Sequence, residues 1–276
     1  MSKESIKQKL MQGAKGDVNE NILDFVCGNI NSVTYMNFER LCYVTESTAQ
    51  EMQAFFESLG FDSLYDFNTV LREIIYNEGD GPDDVQERSL RSVVDMVLRY
   101  EMSNMTEFSA NLDMELVDRL ARELLSVPEV YIVGLQSCTP LAIYAAHILS
   151  KVGIKTRRVD MEGNYLDDIA NLDRSGLVLA FGFSRYHKGT VVLLNMLKKN
   201  GFHTVSVTDY PMSPLANVSD YSISLPRHSH DYTISYVAGT MLLNILAIYI
   251  GAQDKDGLLN RIRRYDDITQ SLEYFF

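Results

Sequence analysis

Apolar residues recur along this chain with two different periods. Up to about residue 76 they fall three and four apart, the spacing of helices buried on one side. Ile22, Leu23, Phe25 and Val26 predict a short amphipathic helix over residues 19–29. Phe38, Leu41 and Cys42 predict a second, with Asn37 as its N-cap. Met52, Phe55, Phe56 and Leu59 share one side of a third, which begins at Ser47 or Thr48 and closes at Gly60. A fourth is expected over residues 61–76. Val44, Thr45 and Glu46 leave room only for a tight turn, so the second and third helices read as a helix-turn-helix. Phe55 and Phe56 are read as core. Residues 77–84 are acidic and Gly/Pro-bearing, a linker in character. Helical spacing resumes over residues 85–106 and 114–126.

Beyond Pro128 the pattern changes. Val130-Tyr131-Ile132-Val133 and Leu177-Val178-Leu179-Ala180-Phe181 are unbroken apolar runs. Such runs, separated by helical segments, suit central strands of a parallel sheet covered on both faces. Further strands are expected over residues 155–160, 204–208 and 221–225, with helices over 140–152, 188–200 and 234–250. A short helix or loop is expected over residues 163–171, and a helical tail from Gly251. The fold class is therefore α/β behind an all-α N-terminal domain, with a five-stranded parallel sheet. The boundaries are residues 1–76 for the helical domain, 77–110 for a linker and connecting helix, and 111–276 for the sheet domain.

Each apolar run empties into a small polar turn. The first holds Gln136, Ser137 and Thr139; the second holds Ser184, Arg185 and His187. Ligands of open α/β sheets bind beyond the carboxyl ends of the strands. A helix N-terminus there offers unpaired N–H groups and a positive dipole end to an anion. Ser137 and Ser184 are the leading ligand candidates, with Gln136, Thr139, Arg185, His187 and Thr208 around them. His228, His230 and Asp231 precede the last long helix, and they read as a loop lining the pocket rather than a catalytic set. No catalytic acid–base set is recognised, no metal-ligand spacing is present among the five histidines, and no cofactor is expected.

Composition narrows the class. The chain has 276 residues, 46% of them hydrophobic and 22% charged, which is a globular composition. No apolar run is long enough to span a bilayer, and the start of the chain lacks a signal peptide, so a cytoplasmic protein is expected. Cys27, Cys42 and Cys138 are read as free thiols. The net charge of −12 works against nucleic-acid binding unless cations cluster locally.

Several stretches taken together resemble the RpiR (MurR) family of bacterial transcription regulators. In the first half these are Ser58-Leu59-Gly60-Phe61 and Leu64-Tyr65-Asp66-Phe67. In the second half they are Tyr131-Ile132-Val133-Gly134 with Ser137, Gly153, Phe183-Ser184-Arg185-Tyr186 with Thr190-Val191, Val207-Thr208-Asp209, and Ser213-Pro214-Leu215-Ala216 with Asp220. The resemblance covers nearly the whole chain. It implies a helix-turn-helix domain followed by a flavodoxin-like sugar isomerase (SIS) domain. It also implies a non-enzymatic regulator that binds operator DNA, senses a phosphorylated sugar or amino sugar, and forms a homodimer or tetramer. DNA contacts would come from Arg40, Ser47, Thr48, Gln50 and Gln53.

Charge sets an alternative beside that reading. Residues 31–60 hold one cation, Arg40, against Glu39, Glu46, Glu51 and Glu57. Phosphate neutralisation dominates DNA affinity, so these carboxylates oppose it. Lys3, Lys7, Lys9 and Lys15 would supply a compensating basic arm. The alternative is a SIS-domain sugar-phosphate sensor whose helical domain no longer binds DNA. A sugar-phosphate isomerase is the third reading.

Overall fold

The computed structural model describes residues 3–34, 36, 38–78, 89–227 and 234–274. They fall into two compact units, residues 1–93 and 94–276.

The first unit is all helix: α1 (Lys3–Met11), α2 (Glu20–Gly28), α3 (Ile30–Val33), α4 (Phe38–Val44), α5 (Ala49–Ser58) and α6 (Leu64–Glu78). Its core is aromatic. Phe56 and Phe67 lie 5.1 Å apart between ring centroids, Phe61 and Phe67 5.3 Å, and Phe55 and Phe67 5.8 Å edge to face. Tilted and edge-on pairs of this kind add to simple area burial. α4 and α5 form the expected helix-turn-helix. Its turn is tied by Thr45 Oγ1 donating to the Leu41 carbonyl at 2.7 Å and by Ser47 N–H donating to Cys42 at 2.9 Å. Glu46 sits in that turn at φ +52°. Thr48, the second of the two cap candidates, caps α5. Its hydroxyl accepts from Glu51 N–H while the Glu51 carboxylate accepts from Thr48 N–H, a reciprocal capping box. Gly60 closes the helix at φ +87°.

Two expectations change here. The fourth helix starts at Leu64 rather than residue 61, because Ser63 caps it through Asp66. The basic arm is instead α1, anchored by buried Ile6 and Leu10, an i, i+4 pair too sparse to read as a periodic signal. Lys7 in it pairs with Asp24 at 3.3 Å. The Asn37 cap lies outside the described residues, as does most of the linker.

α7 (Leu90–Asn111) runs across the boundary between the units and ends five residues later than expected. The second unit continues with α8 (Met114–Ser126), β1 (Val130–Val133), α9 (Thr139–Lys151), β2 (Thr156–Val159), α10 (Tyr165–Ala170) and β3 (Leu177–Phe181). After these come α11 (Lys188–Lys199), β4 (His203–Thr208), β5 (Tyr221–Ser224), α12 (Val237–Gln253) and α13 (Lys255–Ser271). The strands form one parallel sheet in the order β2-β1-β3-β4-β5. α8, α9 and α12 cover one face, where Ile132, Leu179 and Val205 meet Leu141, Leu120 and Leu246. α11 covers the other, where Tyr131, Val178 and Ala180 meet Leu193, Leu194 and Leu197. β1 and β3 are buried along their whole length, which is why neither alternates.

β4 differs. Thr204, Ser206 and Thr208 are buried polar residues. Thr204 donates to Asp220 at 3.1 Å, Ser206 bonds Ser219 at 2.9 Å, and Thr208 donates to Ser213 at 2.9 Å. At the amino end of the sheet, Glu123 of α8 accepts from Tyr221 Oη at 2.7 Å and Arg119 Nε at 2.8 Å, and bonds His203 Nε2 at 3.0 Å. Burial pushes the Glu123 carboxyl up, but those three partners outweigh it and hold it below the usual range. α12 starts at Val237 rather than residue 234 and is largely core. No single helix among the described residues is long and apolar enough to cross a membrane.

Candidate functional site

The strand order places the chain's change of direction between β1 and β3, which pair with Val133 beside Ala180. In sheets of this order the crevice at that switch point is where ligands bind. Both Ser-bearing turns open there.

The first turn leaves β1 through Gly134, where a Cβ would come within 2.8 Å of both the Ala142 Cβ and the Cys138 carbonyl oxygen. Only glycine permits that approach of strand to helix. Gln136 follows at φ +53°, and residues 136–138 form a single 3₁₀ turn. Gln136 and Ser137 are exposed. Thr139 opens α9 and donates to the Gly134 carbonyl at 3.2 Å, which holds the turn shut. Tyr236, just before α12, donates through its hydroxyl to the Ser137 carbonyl. Cys138 is buried, and burial pushes its thiol up despite a hydrogen bond from the Phe183 backbone. It is a neutral packing group.

The second turn leaves β3 through Gly182 and Phe183 and reaches Ser184. Arg185 follows at φ +68°. Positive φ at a non-glycine residue costs of order 1 kcal/mol and persists only where the surroundings impose it. It occurs in both turns, next to Ser137 and next to Ser184. His187 is exposed and starts α11 without a side-chain cap bond.

Asp209, directly after β4, organises the second turn. It accepts from Ser184 N–H at 2.9 Å and from the Ser184 hydroxyl. Tyr186 Oη donates to its other oxygen at 2.6 Å, and Arg227 Nε donates at 3.1 Å from the segment after β5. The Asp209 and Arg227 side chains are 9% and 15% exposed, so the pair is largely shielded from water. Burial, with Asp209 alongside, pushes the Tyr186 phenol above its ordinary range and keeps it a donor.

The structure thus brings Gln136, Ser137, Thr139, Ser184, Arg185 and His187 to the carboxyl ends of two adjacent strands. Thr208 does not join them. It is fully buried and its hydroxyl is committed to Ser213, so it supports the floor instead of facing a ligand. Asp209, Tyr186, Arg227 and Tyr236 were not among the sequence candidates. The available signal was position: Asp209 follows β4 as the Ser turns follow β1 and β3. His228, His230 and Asp231 lie outside the described residues.

In the first unit, Ser47 bonds Thr45 at 2.7 Å, Thr48 is consumed by the capping box, and Gln53 donates to Glu57 at 3.1 Å. Gln50 is exposed, as are Glu46, Glu51 and Glu57. The Arg40 side chain lies outside those described.

Residues 123–249 match the SIS domain family. An uncharacterized HTH-type transcriptional regulator of Caldanaerobacter subterraneus subsp. tengcongensis is 18% identical over 258 residues, covering 91% of this chain and 88% of that one. Among solved structures, the Vibrio vulnificus NanR protein complexed with ManNAc-6P superposes with a TM-score of 0.71 at 15% identity, over 98% of this chain and 99% of that one. The sugar isomerase domain of the RpiR transcription factor from Sphaerobacter thermophilus gives a TM-score of 0.61 at 21% identity, over 63% of this chain and 98% of that domain. Residues 123–249 therefore form a SIS domain, and the chain shares the fold of these structures, a helical N-terminal unit followed by a domain on a five-stranded parallel sheet.

Proposed function

We propose that this chain is an RpiR-like transcription regulator that senses a phosphorylated sugar through its SIS domain and binds DNA through its helix-turn-helix. The observation that carries the reading is the pair of Ser-bearing turns at the switch point, each opening a long helix. A phosphate there meets the N-termini of α9 and α11, the Ser137 and Ser184 hydroxyls, and the cation of Arg185. Gln136, Thr139 and His187 line the approach. The ligand bound to NanR, a phosphorylated amino sugar, has the chemistry this site would take. Effector and DNA would be coupled by differential affinity for two arrangements of the chain. The test is a thermal-shift screen of the full chain against sugar phosphates and amino-sugar phosphates. A stabilising ligand is expected, and Ser137→Ala/Ser184→Ala abolishes its shift. A shift unchanged in that variant places the site elsewhere.

The exposed carboxylates of Glu46, Glu51 and Glu57 favour a second reading, in which the helical unit has lost DNA and docks a protein instead. A mobility-shift titration at low salt separates the two. The DNA reading expects weak retardation of random duplex with a shallow salt slope, because few phosphates are neutralised and Lys7 is engaged by Asp24. No retardation at any salt leaves the protein-binding reading. Tight, steeply salt-dependent binding means the acidic residues do not face the duplex.

A further inference from the structure

We propose that Glu101 of α7 is a positioning residue for the first Ser-bearing turn, acting on it through Ser235 and Tyr236. The proposal rests on that turn being part of the ligand site, and it makes α7 the element that tunes the site. Its basis is a two-residue bridge at the head of α12. The Tyr236 hydroxyl donates to the Ser137 carbonyl, 99 residues away along the chain. Its neighbour, Ser235, donates through Oγ to Glu101 Oε2 at 2.6 Å, 134 residues away. Adjacent side chains thus hold the turn on one side and α7 on the other.

Each part of the bridge is fixed. The Asn104 amide, fully buried in α7, donates to the same Glu101 oxygen at 3.1 Å and holds the carboxylate in place for Ser235. Ser235 Oγ accepts from Val237 N–H at 3.4 Å. The Tyr236 carbonyl accepts from Thr240 N–H at 2.8 Å and from Thr240 Oγ1 at 3.0 Å. These bonds tie the bridge to the first turn of α12, a helix largely buried in the core. At the other end, the Ser137–Cys138 peptide is gripped at both poles. Its carbonyl accepts from Tyr236, and its N–H donates to the Leu135 carbonyl at 3.0 Å. A peptide is a rigid plane, so holding both poles fixes its tilt. That tilt sets where the Ser137 hydroxyl stands.

Helix capping does not account for this layout. A cap of α12 needs only the oxygen of Ser235, yet its proton is committed to α7. The acceptor there is a carboxylate, which makes a stronger bond than a neutral oxygen would. α7 is the helix that runs from the first unit into the second. By linkage, whatever shifts α7 at Glu101 changes ligand affinity at the Ser137 turn by the same factor as the ligand shifts α7.

The test is hydrogen–deuterium exchange of the full chain, first without ligand. Glu101→Ala speeds exchange over residues 134–139 by about threefold or more, the lower part of what one hydrogen bond contributes. Residues 177–181 of β3 exchange as in the wild type, and so does the turn in a Glu115→Ala control. Glu101→Gln, which keeps an oxygen for Ser235, restores most of the protection. Tyr236→Phe gives the same increase as Glu101→Ala, and combining the two adds nothing, because both break one path. An unchanged turn in Glu101→Ala, or additive effects of the pair, overturns the proposal. Should Glu101→Ala fail to fold, Tyr236→Phe decides. Faster exchange over residues 98–105 as well as at the turn supports the bridge, and faster exchange at the turn alone overturns it. A second arm adds ManNAc-6P, the ligand of the NanR structure, beside inorganic phosphate. Protection of the wild-type turn, with a Kd about fivefold weaker in Glu101→Ala, supports the coupling, and an unchanged Kd overturns it. No protection of the wild type by either probe sinks the ligand reading, while the ligand-free arm still decides whether Glu101 positions the turn.

Discussion

Asp209→Ala is expected to lose about 3 kcal/mol of stability in the second unit, at the lower end of what breaking a buried ion pair costs. It also loses any thermal response to a sugar phosphate. One carboxylate accepts from the backbone and side chain of Ser184, from Tyr186 and from Arg227. Removing it strands a guanidinium that is 15% exposed and two hydroxyl donors. Leaving shielded donors unmade costs more than making them gains. The second turn also loses what sets Ser184, since Arg185 holds φ +68° only while that turn is clamped. Asp209→Asn, which keeps one acceptor oxygen but turns the other into an NH2 donor and removes the charge facing Arg227, falls between wild type and alanine. Denaturant unfolding followed by circular dichroism measures the first effect and thermal shift the second. A loss below about 0.5 kcal/mol for alanine, the size of an ordinary surface change, would sink the account of Asp209 as organiser.

Phe56→Ala is expected to be the more damaging substitution, at about 3–5 kcal/mol, the range for truncating a buried phenylalanine. Phe56 is fully buried and stacks with Phe38, Phe55 and Phe67. Its loss opens a cavity between α5 and α6, and those helices cannot close it without disturbing the turn that α5 shares with α4. Because the chain divides at residue 93, the effect belongs to the first unit. Calorimetry should show a transition lowered in that unit while the thermal response of the SIS domain to its ligand persists. DNA retardation, where the wild type shows it, disappears. A variant with unchanged melting would mean that Phe56 is not the keystone of the helical core.

The sheet was largely legible because its central strands are read by composition alone. Val130–Val133 and Leu177–Phe181 admit no other reading between helical segments. α8 was legible to the residue, since its apolar stripe is wide and Asp113 caps it. α1 was not, because two buried side chains are below what periodicity can register. Much of the site was legible in outline, as polar turns after apolar strands. Its organising carboxylate was not, because the bonds of Asp209 reach 25, 23 and 18 residues along the chain. Local pattern carries no information at that range. Thr208 misled for the related reason that a strand-end hydroxyl looks available until its partner, Ser213, is folded beneath it.

The turn between α4 and α5 holds Glu46 at φ +52°, in the left-handed region that glycine enters freely and a glutamate enters at about 1–2 kcal/mol. A carboxylate is thereby mounted on a backbone already fixed by bonds from Thr45 and Ser47 on either side. Its charge does not belong to a frayed loop that swings aside for an approaching polyanion. A duplex entering along α5 meets a negative side chain whose backbone cannot swing away. A cationic surface meets an anchor whose backbone entropy of ordering was spent when the turn folded.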